Sequence, residues 1–323
     1  MASAGKLLHL RPGTDSRSKE NPKMKQRAFV LTLSLGLVLM FSSLASAQYQ
    51  LTNLTASQSG VATYTDPLLL NPWGLAYGPD GPFWISDNAS GWSTLYTGTG
   101  DPQSLQVVIP SANGTSAGTP TGIVYNGSTQ FQINGWASTF IFDTLDGTIS
   151  GWSSFSPSAA IIAVDNSASG AIYTGLAITN HASNNYIFAA DSWNDKVDIY
   201  DGNFNFVSSF TDTSVPPAFT PFGIQDIGGY VFVAYAATSG GPGGYIDIFT
   251  EAGTLVKRLV HGKPLNQPWG FAIAPKNFGP LSSALLISNN VDSGGTINAF
   301  NSKTGKFIGT VSSSAGKPIV ALM

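Results

Sequence analysis

The chain has 323 residues, no cysteine and few charges for its length, with 15 basic against 18 acidic side chains. Seven of the basic residues but only two of the acidic ones precede residue 28, so the remainder carries an excess of eight negative charges. That balance excludes a surface built to neutralise phosphates, and hence a nucleic-acid partner. The missing cysteines exclude disulfide staples, thiolate metal sites and cysteine nucleophiles.

Lys23, Lys25 and Arg27 precede the apolar run from Ala28 to Leu44, which closes on Ala45-Ser46-Ala47. Basic, apolar and small-x-small segments in that order make a secretory signal peptide over about residues 24–47, with cleavage expected before Gln48. The run is close to membrane-spanning length, so an uncleaved anchor is the competing reading. Met24 stands where such a peptide normally begins, and residues 1–23 therefore read as a mis-assigned start or a long basic leader. Residues 1–47 are then extension and signal, and residues 48–323 are one exported domain, secreted or in the cell envelope, with no membrane insertion after cleavage.

Tyr49 to Thr55 alternates like a strand and is expected to complete the last of a series of repeated units. Next comes Asn71-Pro72-Trp73-Gly74-Leu75-Ala76-Tyr77, a Gly/Pro/Asp turn, and the apolar Phe83-Trp84-Ile85-Ser86-Asp87. The Pro-x-Gly phrase or a close variant returns with its glycine at Gly122, Gly175, Gly223 and Gly270, at spacings of 48, 53, 48 and 47 residues. Each unit carries three or four short strands and no helical stretch, as in Asp146-Gly147 followed by Thr148 to Trp152, a tight hairpin and a strand. A period near that of WD40 or kelch repeats, with this strand content, indicates an all-β propeller. A unit cannot bury both faces of its sheet alone, so neighbours must stack around an axis. The Gly-rich stretch from Ser239 to Gly244 lacks a following Lys-Ser/Thr and a helix, and reads as a surface loop rather than a phosphate cradle. After the fifth unit, Lys317 to Met323 looks like the lead into another. Five complete units with fragments at both ends point to a six-bladed ring with an incomplete last blade, with a five-bladed ring as the alternative.

The phrases Asn71-Pro72-Trp73-Gly74, Asp146-Gly147-Thr148-Ile149-Ser150-Gly151-Trp152, Val164-Asp165-Asn166-Ser167, Gly175-Leu176-Ala177, Pro264-Leu265-Asn266-Gln267-Pro268-Trp269-Gly270 and Gly295-Thr296-Ile297-Asn298-Ala299-Phe300 together resemble an uncharacterised family of secreted bacterial proteins with NHL-like repeats. The resemblance runs from about Tyr49 to the end. It implies a propeller whose relatives continue into a final blade, and it implies no activity.

Strand geometry turns the repeat into a site hypothesis. The first strand of a unit begins at its Pro-x-Gly, and its antiparallel neighbour ends at Asp87, Asp143, Asp191, Tyr235 or Asn289. With first strands on the axis, these residues together with Asn88, Trp73 and Trp269 are expected to ring one mouth of the channel. Oxygen donors converging there suit a hard cation, so Asp87, Asp143, Asp191 and Asn289 are the candidate ligands of a Ca²⁺-like ion, which would act as a Lewis acid. The competing reading is that each side chain accepts backbone N–H groups in its own turn and repeats because the turn repeats.

Other chemistry has less support. His181 and His261, the two histidines after the signal segment, lie in different parts of their units and cannot assemble a His-rich metal site. Glu251 is the one glutamate there, and no Gly-x-Ser-x-Gly elbow occurs. The seven tryptophans are either packing between blades or stacking platforms for sugar rings at the mouth. The residues thus read as a non-catalytic, monomeric scaffold without a cofactor that binds a protein, glycan or small molecule through its mouth loops. A metal-dependent hydrolase or lyase at the channel is the alternative.

Overall fold

A computed structural model describes residues 49–114, 116–179, 184–291 and 294–322. The signal segment and His181 lie outside the described residues. Five four-stranded antiparallel sheets follow one another along the chain, each a blade of a β-propeller. Blade one is built from Pro72–Tyr77, Phe83–Asp87, Trp92–Tyr96 and Pro102–Val108. Blade two comprises Pro120–Tyr125, Phe140–Thr144, Thr148–Trp152 and Ile161–Asp165. Blade three comprises Tyr173–Ile178, Tyr186–Asp191, Lys196–Asp201 and Phe206–Phe210. Blade four runs through Phe219–Asp226, Tyr230–Ala237, Tyr245–Thr250 and Leu255–His261, and blade five through Pro268–Ile273, Leu285–Asn289, Gly295–Phe300 and Phe307–Thr310.

The Pro-x-Gly phrase has a physical meaning in this register. Pro72 pairs with Asp87 and Leu75 with Ile85, so two residues of the first strand are set against one of the second. The same irregularity recurs at Tyr173/Leu176, Pro221/Gly223 and Pro268/Phe271. A bulge of this kind bends the strand and takes its backbone out of the ladder, and here it does so at the axis. Glycine is needed because the next blade's first strand lies against it. A Cβ on Gly74 would stand 2.5 Å from the Thr121 carbonyl oxygen, one on Gly122 would collide with the Leu176 amide, and one on Gly223 with the Trp269 carbonyl. Gly175 is looser, its Cβ position lying 3.2 Å from the Phe222 oxygen. Gly270 differs, since a Cβ there would meet only Ser288 of its own blade.

Between blades, alternating side chains interlock. Trp84, Leu95, Val107, Ile123, Phe140 and Phe142 fill the space between blades one and two. Phe188, Val197, Ile199, Val231, Val233 and Phe249 do the same between three and four. Each such side chain contributes about 1.5–3 kcal/mol by leaving water, which explains why blades that are marginal alone stack stably.

The structure has five blades, matching the five-bladed alternative. The terminal segments expected to begin a sixth do other work. Tyr49 bridges Ser313 and stacks on Phe278 with centroids 4.4 Å apart, against the far face of blade five. Thr55–Ala56 pairs with Tyr64–Thr65 instead of entering a blade, and Val320–Leu322 pairs with the third strand of blade five. No helix among the described residues is long and apolar enough to cross a membrane.

Candidate functional site

The first strands of all five blades surround one axial cavity of about 250 Å³, walled by Gly74, Gly122, Gly175, Ile224 and Gly270. Above it, at the end where first strands begin and second strands end, an aromatic plug closes the axis. Trp73 meets Trp269 edge-on at 5.6 Å and Phe222 at 5.8 Å between centroids. Trp269 reaches across the axis, its indole Nε1–H donating to the Thr174 carbonyl of blade three at 2.7 Å. Trp73 and Trp269 therefore occupy the mouth, as their place in the repeat suggests.

The other repeat positions are bonded to neighbouring protein groups. Asp143 Oδ1 accepts from the Gly122 N–H at 2.5 Å, a group that the bulge takes out of the ladder, and from the Thr121 hydroxyl at 2.8 Å. Asp191 accepts from the backbone of Ile172 and Asn194, with the Asn194 amide 2.7 Å away. Asn289 accepts from the Asn266 N–H and donates to the Pro264 carbonyl. Tyr235 accepts from the Asp212 N–H through its hydroxyl, and Asn88 ties blade one to blade two by donating to the Pro120 carbonyl at 3.1 Å. Asp87 accepts from the Thr94 hydroxyl at 2.6 Å, which continues through Tyr96 to Asp66. All six are buried.

Asp87, Asp143, Asp191 and Asn289 thus do not converge on the axis as a ligand set, and among the described residues no three carboxylates or imidazoles gather where they could hold a metal ion. Each has a nearer partner of its own: the Thr94 hydroxyl for Asp87, the Gly122 N–H for Asp143, the Ile172 and Asn194 N–H groups for Asp191 and the Asn266 N–H for Asn289, and buried polar groups take such partners. Burial also raises the acids. Asp143 is pushed up to about 6 by desolvation, against the opposing Thr121 and Gly122 hydrogen bonds. Asp87 is pushed up to about 8 by burial, with Thr94 opposing and the charge of Asp66 adding to the rise.

A second polar position, not singled out from the sequence, recurs on the third strand as Thr94, Ser150, Asp198, Asp247 and Asn298, all buried. Lys196 pairs with Asp198 at 2.8 Å, and Arg258 forks onto Asp247 at 3.0 and 3.2 Å while reaching Asp212 at 2.7 Å. These ion pairs are answered within the blades and offer nothing to a ligand.

What opens to solvent at the mouth is Trp73 and Phe222 of the first strands, with residues that lie just outside the strand ends. A cavity of about 450 Å³ above the plug is lined by Asn71, Trp73, Phe222, Asn266, Gln267 and Asn290, with the bare backbone of Gly240 and Gly241 in its wall. A neighbouring one of about 630 Å³ shares Phe222, Gly240 and Gln267 and extends the cleft over blade three to Trp193. Trp193 is 70% exposed, with one edge of its indole 3.5 Å from where a Cβ on Gly170 would stand. The remaining tryptophans divide as the packing reading expects for Trp84 and Trp152, which are buried between blades one and two. Trp136 is half exposed and stacks on Phe155.

One signal for this set was present in the sequence. Asn71 and Gln267 each precede the proline of the repeat phrase, and each adopts a left-handed backbone, with φ of 49° and 52°. Their carbonyls accept from the N–H groups of Asn88 and Asn290 respectively, so the two corners are built alike. Left-handed residues other than glycine are uncommon and concentrate where the surrounding structure holds a site in shape.

No family model matches the chain. Two relatives in Acanthamoeba polyphaga mimivirus are uncharacterized proteins. R648 is 28% identical over 299 residues, covering 85% of this chain and 72% of that protein. R640 is 30% identical over 257 residues, covering 73% of this chain and 47% of that longer protein. Among solved structures, a catalytically inactive virginiamycin B lyase from Staphylococcus aureus with quinupristin aligns with a TM-score of 0.53 at 13% identity, over 76% of this chain and 72% of the other. A chain of a nidogen/laminin complex aligns with a TM-score of 0.51 at 14% identity, over 77% and 83%. At such identities the likeness is one of propeller fold.

Proposed function

We propose that the protein is an exported, non-catalytic and monomeric propeller of NHL-like type that holds a ligand in the cleft at its channel mouth. The observation that carries this reading is the division of polar groups. The carboxylates of the repeat are buried within the blades, Asp143 and Asp191 against backbone N–H groups and Asp87 against the Thr94 hydroxyl, while the open cleft between Trp73 and Trp193 is walled largely by aromatic rings, carboxamides and bare glycine backbone. A concave surface of several hundred Å³ with a few placed polar groups is the usual form of a small-molecule or glycan site. The lyase among the structural neighbours lends no activity, because folds host many functions.

Soaking crystals with a diverse fragment library tests the site. Bound fragments are expected to cluster between Trp73 and Trp193. Fragments confined elsewhere, or one tightly held metal per chain whose chelation lowers the melting temperature, would overturn the reading. Export is tested separately by sequencing the N-terminus of the mature protein, which is expected to begin at Gln48. A start upstream of Ala28 would remove the signal-peptide assignment.

A further inference from the structure

We infer that the ligand class of this cleft is a neutral oligosaccharide lying across the mouth from Trp193 to the Trp73/Phe222 pair. The inference rests on the mouth-cleft reading and adds the chemistry of what it takes. The cavity beside Trp73 has no charged side chain in its lining, and the adjoining one has only Asp195. A charged ligand would leave water without a partner there, at a cost that a neutral one avoids.

The polar groups on offer are amides. Gln267 donates its Nε2–H to the Ala237 carbonyl at 3.0 Å, and Asn71 donates its Nδ2–H to Asn88 at 3.2 Å. With those donors directed to the protein, each amide has its carbonyl oxygen left to offer. Asn266 and Asn290 line the same cavity. Hydroxyl groups supply donors without charge, and carry acceptors for the other half of an amide.

Aromatic rings complete the match. Trp193 stands 70% exposed beside Gly170, and Trp73 and Phe222 stand at the opposite end of the cleft. Exposed indoles offer a flat apolar face to the C–H side of a pyranose while its hydroxyls stay in reach of polar neighbours. Two aromatic stations joined by a trough of about 630 Å³ suit more than one sugar ring. A peptide fits less well, because extended peptides are held by an open sheet edge, whereas these walls are strand ends and turns.

The test is calorimetric titration of the mature protein with three sets of probes. These are neutral di- to tetrasaccharides of gluco, galacto and manno configuration, oligomers of uronic acids, and uncharged hexapeptides. At least one neutral saccharide is expected to bind, with affinity about tenfold weaker in Trp193→Ala, retained in Trp193→Phe, and reduced in Asn290→Ala. Melting temperatures of all three variants are expected to match the parent, since these side chains face the cleft. Binding of uronates or hexapeptides in place of neutral saccharides, weakened by Trp193→Ala, overturns the sugar assignment while leaving the mouth as the site. Saccharide binding unchanged in Trp193→Ala, or no saccharide bound at all, overturns the inference outright.

Discussion

The last residue of a second strand and the residues just past it share one end of the propeller, yet they have opposite fates. Asp191 is wholly buried and bonded to its own turn, whereas Trp193, two places on, is 70% exposed. Asn289 is locked to the backbone of Asn266 and Pro264, whereas Asn290 lines the cleft. Hydrogen bonding decides the boundary. Side chains at the strand end are held by neighbouring backbone groups, Asp191 by the Ile172 and Asn194 N–H groups and Asn289 by that of Asn266, and those beyond it reach the surface. The repeated phrase therefore builds a rigid frame, and the cleft above it is lined partly by that phrase, at Asn71, Trp73 and Gln267, and partly by positions such as Trp193 where the units differ.

This division is tested most severely by overfilling the frame. Gly223→Ala forces a methyl group into the Trp269 backbone, which cannot rotate away, and is expected to cost on the order of 3 kcal/mol. Gly270→Ala meets only the Ser288 side chain. It is expected to stay within about 1 kcal/mol of the parent in either direction, because alanine also restricts the unfolded chain. Denaturant melts of the two variants side by side would break the account if they lost equal stability.

A different kind of effect is expected from pH. Asp87 sits near 8 in the fold against an ordinary value of 3.8. Below about 4 it is protonated in both folded and unfolded chains, and its contribution is fully present. As pH rises from about 4 towards 8 the unfolded chain ionises while the fold keeps the proton. Stability then falls by up to about 1.4 kcal/mol per pH unit for this one group. Asp87→Asn removes the ionisation, so its melting temperature should depend less on pH across that window. An identical pH profile in parent and variant would show that Asp87 is ionised within the blade. The smallest effect on stability is expected from Trp193→Ala, which should alter saccharide binding alone.

Much of the architecture was legible in the chain. The spacing of Gly74, Gly122, Gly175, Gly223 and Gly270 reported a circular stack, and Pro-x-Gly marked the axis, where at Gly74, Gly122 and Gly223 a side chain would collide with the first strand of the next blade. Blade number was less legible, since Tyr49 and Ile319 carry strand-like sequence but pack on the far face of blade five. For the site, Trp73 and Trp269 were found from the repeat. Asn71 and Gln267 were findable by their shared place before proline. Trp193, Phe222 and Asn266 were not, since nothing local distinguishes an exposed indole from a buried one.

By itself, then, the order of residues determined a propeller and the strand pattern of each blade. Those come from local rules: alternation, turn chemistry and the need of small sheets for neighbours. Only the tertiary structure decided which polar groups are available, because satisfaction of a buried carboxylate depends on the donors that the fold brings beside it, such as the Thr94 hydroxyl for Asp87 and the Gly122 N–H for Asp143. It also decided that Trp269 would bridge the axis to blade three and close the channel into a cleft, a contact between residues 95 apart in the chain that no local rule contains.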